Sequence, residues 1–294
     1  MTRSVSEPDG HHAIRGAGLG LRIPHIPWVL ENQPNVNWFE VHICNYLGGG
    51  LNRTLLQEIS RTYPLSFHGV SLNLGGCDPL DPNYLNKLRL ATEEFRPTLI
   101  SEHACLTAHN GEHFHDLIPV PFTRTAARHM ADRIRQVQDT LGRRILIENL
   151  SRYARYEESE LTEAEFLTIV CELADCGLLL DINNAYVNQL NLGESWRQFV
   201  HQLPLDRIGE IHLAGHSQQA SAVIDTHSQP VCEGVWDAYR DTVTQFGTNI
   251  PVLIEWDNDL PPFTRLLEEC NKAARINDQA GIRPLGAGHV RRGF

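Results

Sequence analysis

The chain has 294 residues, of which 41% are apolar and 21% charged, the make-up of a globular protein with a large core. Its 25 Lys and Arg against 36 Asp and Glu give a net charge of -11, so it lacks the basic patches that a nucleic-acid backbone or an anionic membrane requires. No apolar run approaches the ~18–20 residues of a membrane span. The first sixteen residues carry Glu7, Asp9, His11 and His12 where an export signal would be apolar, so a cytoplasmic protein is expected. Seven cysteines, an odd number without a C-x-x-C pair, read as free thiols in a reducing compartment.

Taken in chain order, apolar runs at Gly18–Arg22 and Trp38–His42 precede a helix expected over Arg53–Tyr63. A strand at Leu65–His68, a helix over Asn83–Phe95 and a strand at Thr98–His103 follow. Over Thr123–Leu141, the residues Ala126, Met130, Ile134, Val137 and Leu141 fall on one helix face. After a strand at Arg144–Glu148, Thr162 and Glu165 form a capping box ahead of Phe166–Ala174, with Gly177 as its expected stop. Strands at Leu178–Asp181, Arg207–His212 and Pro251–Glu255 alternate with helices over Trp196–Leu203, Val235–Phe246 and Phe263–Ala274. Eight strands alternating with helices, at roughly 30 residues per unit, predict a single-domain α/β protein, a (β/α)8 TIM barrel. The barrel is expected over residues 16–274, between a flexible segment at 1–15 and an aperiodic flexible tail at 275–294.

Seven of the eight runs end in a residue that does not belong at the end of an apolar strand: His42, His68, His103, Glu148, Asp181, His212 and Glu255. In a barrel, the C-terminal strand ends surround one site. Parity sends each of these side chains inward with the residue two before it, while the intervening residue faces the helices. Converging carboxylates are costly to bury unpaired, and a bound cation removes that cost. Further ligand types follow in the loops: Asn183, Asn184, His216 and the Asp225/His227 pair. Each alone has a bland reading, since a single strand-end His is more often a hydrogen-bonded core residue. Seven such accidents at one barrel mouth are a poor explanation.

About nine or ten candidates exceed the four to six donors of one ion, which points to two or three metals sharing a bridging carboxylate. Imidazole and carboxylate without thiolate suit Fe, Mn, Zn or Co, and ligand type alone does not choose among them. Gly48–Gly50 reads as a turn, Gly16–Gly20 lies on the wrong side of its strand for a dinucleotide fingerprint, and no nucleophile elbow occurs.

The segments at 18–25 (GLGLRIPH), 39–42 (FEVH), 66–70 (SFHGV), 101–103 (SEH), 146–149 (LIEN), 178–187 (LLLDINNAYV), 210–216 (EIHLAGH), 224–227 (IDTH) and 253–257 (LIEWD) together resemble the multinuclear non-heme iron-dependent oxidative enzymes. These are xylose-isomerase-like barrels, and the likeness runs in order over about residues 16 to 272. It implies two or three irons that, with dioxygen as co-substrate, oxidise a residue, often Cys, in a ribosomally made precursor peptide. A small helper protein that delivers the peptide is a common partner. The positions carried over as metal ligands are His68, His103, Glu148, Asp181, Asn184, His212, Asp225, His227 and Glu255, with His216 as a further candidate. Glu148 is the implied bridge, and Glu148 and His212 are the expected catalytic pair. His25, His42 and Asn45 are expected on the substrate side or behind the ligands. Two stretches depart from the family pattern, Cys44–Tyr46 and the Ser71–Gly76 turn, and both are expected to line the substrate pocket.

Two other classes fit part of the pattern. A divalent-metal sugar isomerase or an endonuclease-like barrel uses similar ligands. The acidic chain offers no DNA groove, and its only lysines, Lys87 and Lys272, fall on expected helices rather than at a strand end. A non-catalytic metal-binding scaffold needs no open mouth.

Overall fold

The computed structural model describes residues 14–247 and 249–282. The strands, in chain order, are β1 (Ala17–Gly20), β2 (Phe39–His42), β3 (Leu65–Gly69), β4 (Leu99–His103), β5 (Cys105–His109), β6 (Glu112–Pro119), β7 (Leu146–Glu148), β8 (Gly177–Asp181), β9 (Ile208–Ala214), β10 (Ser217–Gln218), β11 (Val223–Ile224) and β12 (Val252–Glu255). The α-helices are α1 (Ile26–Asn32), α2 (Leu51–Ser60), α3 (Pro82–Phe95), α4 (Arg124–Leu141), α5 (Glu163–Ala174), α6 (Ile182–Leu192), α7 (Trp196–Gln202), α8 (Glu233–Phe246) and α9 (Phe263–Ile282).

Eight parallel strands close in the order β1-β12-β9-β8-β7-β4-β3-β2, the expected (β/α)8 barrel. The outward face of each strand is apolar and packs under the helices: Leu19, Val41, Phe67, Ile100, Ile147, Leu180, Leu213 and Ile254 are buried in one continuous core. The inward face is built differently at its two ends. The N-terminal end is plugged by Trp38 and Leu253. Gly18 makes room for the indole, because a Cβ there would sit 2.3 Å from the Trp38 ring. Toward the C-terminal end the same face turns polar, with Ser66, Glu40 and Glu210 in one tier and the strand-end histidines and carboxylates above them.

Local signals acted much as the sequence predicts. The Thr162–Glu165 capping box is formed, and Thr123 caps α4 by accepting from Ala126 N–H. Four features differ. The α5 stop is Asp175 in the left-handed region (φ 51), while Gly177 already belongs to β8. The β5–β6 hairpin is inserted after β4, and α6 begins directly behind Asp181 where a loop was expected. Helix α9 continues to Ile282, into the segment expected to be an aperiodic tail from 275; the rest of that tail and residues 1–13 lie outside the described residues. All seven cysteines are free, and no helix among the described residues is long and apolar enough to cross a membrane.

Candidate metal centre

Strand register brings the expected residues together. His42 pairs with His68, His103 with Glu148 and Asp181 with His212. His42, His68, His103 and Glu148 line a cavity of about 490 Å³ at the barrel mouth, shared with Asn184, Asp225, His227, Glu255 and Asp257, while Asp181 and His212 lie buried just beneath it. Around it, donor atoms gather in five overlapping triads, each within 4.8 Å: His68/His103/Glu148, Glu148/Asp181/His212, Asp181/His227/Glu255, His42/His68/Glu255 and Glu40/His212/Glu255.

The triad of His68, His103 and Glu148 shows why a cation suits it. His103 Nδ1 lies 3.0 Å from the Gly69 carbonyl, which can only accept, so Nδ1 carries the hydrogen. His68 Nδ1 lies 2.7 Å from Ser101 Oγ, whose own hydrogen points to the Phe67 carbonyl at 3.4 Å, so His68 also donates from Nδ1. When both rings are neutral, they aim Nε2 lone pairs at Glu148 Oε2, at 3.3 Å from His68 and 3.1 Å from His103. Glu148 Oε2 has no hydrogen-bond partner of its own. Three lone pairs converging in a buried space repel unless a proton or a metal ion sits among them.

The titration behaviour follows from that crowding. Burial, opposed by His103 and His212, raises the Glu148 carboxyl to about 8. Burial and the neighbouring Asp225 raise Asp181 to about 7. Burial disfavours charge on His103 too, but Glu148 and Glu102 outweigh it and raise the ring to about 9. His68, desolvated and beside His103, is held well below the usual imidazole range. The metal-free cluster therefore holds extra protons where a cation can take their place.

The Glu255 side is arranged otherwise. Arg22 donates from NH2 to Glu255 Oε1 at 3.1 Å and from Nε to Asp257 Oδ1 at 2.6 Å. The same NH2 lies 3.1 Å from His42 Nε2, which must accept, since a guanidinium cannot. Burial opposes ionisation of Glu255, but His227 and His212 prevail and hold it well below the carboxylate range. Asp257 is likewise drawn down to about 2, chiefly by Arg22 against its burial. His227 sits at φ 47, a left-handed backbone unusual for a non-glycine residue, and its Nε2 is 2.8 Å from Asp225 Oδ1.

Five expected residues are not in these triads: Asp225 and Asn184 line the cavity beside them, and His216, His25 and Asn45 stand farther off. His216 stacks on Tyr186 and touches Asn183 Oδ1 at 2.7 Å; Asn183 in turn donates to Asp225, so His216 stands one residue removed. His25 Nε2 lies 2.9 Å from the Pro261 carbonyl and its ring meets Phe263 edge-on, a packing role outside the cavity. Asn45 is exposed, and neither it nor Cys44 lines the mouth. Asn184 does line it, with a buried Oδ1 that has no partner. The Ser71–Gly76 turn contributes no lining residue and instead clamps the β5–β6 hairpin.

Sequence reasoning missed Glu40 and Glu210. Glu40 Oε2 is 3.1 Å from His212 Nε2, and Glu210 Oε1 is 3.5 Å from the same atom. Both carboxylates are fully buried, and burial raises Glu40 to about 7 even against His212. The signal was available: the parity that points His42 and His212 inward applies equally to the residues two before them. Glu102 was also missed; it faces away from the mouth and accepts from the backbone N–H groups of Ser71, Leu72 and His103, fixing the end of β3.

A family model described as RiPP precursor modification enzyme MbnB/TglH/ChrH matches residues 16–278. A UPF0276 protein of Acaryochloris marina is 47% identical over 89% of this chain and 94% of its own length. Another, of an Anaeromyxobacter species, is 43% identical over 91% and 94%. Among solved structures, D-psicose 3-epimerase from Clostridium cellulolyticum superposes with a TM-score of 0.57 at 10% identity, over 91% of this chain and 98% of that one. Endonuclease IV from Thermus thermophilus gives 0.55 at 13%, over 90% and 98%. At such identities these structures share the (β/α)8 barrel fold with this chain.

Proposed function

The chain belongs to the MbnB/TglH/ChrH family of RiPP precursor modification enzymes, and from that membership we propose that it is a multinuclear non-heme iron enzyme that oxidises a residue, Cys by preference, in a ribosomally made precursor peptide. The observation that carries the metal part of this reading is the convergence of the His68, His103 and Glu148 lone pairs on one buried point. Glu148 is common to the triad with His68 and His103 and the triad with Asp181 and His212, which suits it to bridge two ions. Asp225, His227 and Glu255 complete the set on the other side, with Asn184 Oδ1 as a neutral donor. Bound iron supplies the redox chemistry toward dioxygen; no flavin or nicotinamide is part of the reading.

The chain's own residues do the rest. Arg22 pairs with both Glu255 and Asp257 and offsets one of their two charges, so the ligand set is less over-charged on that side. Glu40 and Glu210 hold the Nε2 side of His212, which fixes the ring and leaves Nδ1, 3.1 Å from Glu255 Oε2, toward the centre. The open mouth admits a side chain from a peptide that is too long to be enclosed. A small helper protein that presents the peptide belongs to the proposal, as does a cytoplasmic site of action, where the peptide is made.

The test is co-expression with a short Cys-containing peptide encoded beside the gene, followed by peptide mass. A mass change that needs both iron and dioxygen is expected. An unchanged peptide, together with sugar isomerisation that proceeds without oxygen, overturns the reading in favour of a metal-dependent isomerase.

A further inference from the structure

The β5–β6 hairpin contains an irregularity placed over the mouth. Leu106 pairs with Ile118 and Ala108 with His113, so Thr107 alone stands opposite Phe114, His115, Asp116 and Leu117. Those same four residues, with Thr107, line the cavity that holds His103 and Glu148. A flat strand turns only alternate residues toward one side; four in a row require the main chain itself to swing into the wall.

The support beneath the bulge is rigid. Asn73, at φ 53, accepts from Thr107 N–H at 2.8 Å and donates to the Ala108 carbonyl at 3.0 Å, standing in for a partner strand along the outer edge of β5. Arg133 fixes Asn73 in turn by donating to its carbonyl at 2.9 Å. Gly76 has to be glycine, because a Cβ there would lie 2.1 Å from Asn73 Nδ2. The edge of β5 is thereby sealed, and the bulge on β6 stays open to the cavity.

We propose that the Phe114–Leu117 bulge is the peptide-binding element of this enzyme, holding an extended substrate segment beside the modified residue. The proposal rests on the peptide-modifying function above and adds how the peptide is held. Two observations specify the segment. Phe114 is 37% exposed and Tyr153, from the loop after β7, is 46% exposed, and both line the mouth, an apolar pair with nothing of this chain covering it. Asp116, beside Phe114 on the bulge, lines the same cavity and is in no ion pair with another side chain among the described residues, so a segment with an apolar residue and a flanking Lys or Arg is complementary. Main-chain hydrogen bonding to the bulge gives register without demanding one sequence.

The experiment uses the iron-loaded full chain and the Cys-containing peptide of the co-expression test, labelled with fluorescein. Amide hydrogen exchange at 114–117 is expected to slow at least about tenfold when the peptide is added. Phe114→Ala and Asp116→Lys are each expected to raise KM about tenfold, with kcat within about twofold and iron content unchanged, the signature of lost binding rather than lost chemistry. A peptide that wild-type enzyme binds and modifies without added protection at 114–117 overturns the bulge's role and leaves the function intact. Unchanged KM in both variants does the same. A peptide that wild-type enzyme leaves unmodified sinks the function, and the bulge's role with it.

Discussion

Two cavities of nearly equal size lie on either side of the loop that joins β7 to α5. One is the mouth, about 490 Å³, lined by Leu150, Ser151 and Tyr153 of that loop; the other, about 500 Å³, is lined by Arg152, Ala154, Arg155 and Tyr156. Both contain buried charge. In the second, Arg152 donates to Glu163 and Glu194, Arg155 also donates to Glu194, and Glu163 takes a further bond from Leu150 N–H. Every carboxylate oxygen there has a donor. In and just beneath the mouth, Glu148 Oε2, Asp181 Oδ2, Glu40 Oε1 and Glu210 Oε1 have none. Enclosed volume does not distinguish the two places; unanswered lone pairs do. The chain neutralises one cluster from its own side chains and leaves the other for a cation to complete.

The sharpest way to break that contrast is to change one carboxylate in each cluster. Glu148→Gln is expected to abolish turnover and lower iron content while the barrel stays folded, since Glu148 contributes to the site rather than to the apolar core; full iron and full turnover would refute its bridging role. Wild-type protein purified anaerobically from iron-replete cells should carry about two to three Fe per chain. Elemental analysis checks both.

Glu163→Gln is expected to do the reverse. Losing charge opposite buried Arg152 should cost about 1–3 kcal/mol in denaturant unfolding, with iron content unchanged. Iron loss in this variant would join the two clusters that the geometry separates.

A smaller effect concerns pH. In metal-free protein, Glu148 at about 8 and Asp181 at about 7 lie above their unfolded values, and so does His103 at about 9. All three groups hold protons more tightly when folded, so their contribution is present at low pH and is lost as pH rises from near 5 toward 9. Thermal midpoints of the metal-free protein should therefore fall over that range. Iron-loaded protein should not follow, because ions displace those protons; identical slopes would count against the triads as ligands. Smallest of all, Cys44→Ala should leave iron binding unchanged, as its thiol lies outside the cavity.

The mouth was legible from sequence because it breaks a rule: apolar runs such as Leu178–Leu180 or Val252–Ile254 should not end in Asp181 or Glu255 unless something compensates. Parity then fixed which way each residue points. The parts that escaped lack such a contrast. Residues 112–116 are exposed and follow no two-residue alternation, because the bulge interrupts it, so the hairpin had no periodic signal. Helix α6 carries Asn183 and Asn184 in its first turn, weak helix formers that read as a loop; its start is set by Asp181 accepting from Asn184 N–H. His216 and His25 bear ligand chemistry at suggestive positions, yet one is tied to Asn183 and the other to Pro261, contacts made only by the folded chain.

That cap on α6 has a consequence for coordination. Asp181 Oδ1 is committed to the Asn184 N–H at 2.6 Å, whereas Oδ2 has no partner. In the proposed ligand set, Oδ2 is the oxygen with no competing bond to offer an ion, while Oδ1 holds the helix N-terminus. An ion held there would share one side chain with the start of α6, so its position and the first turn of that helix would be set together by Asp181.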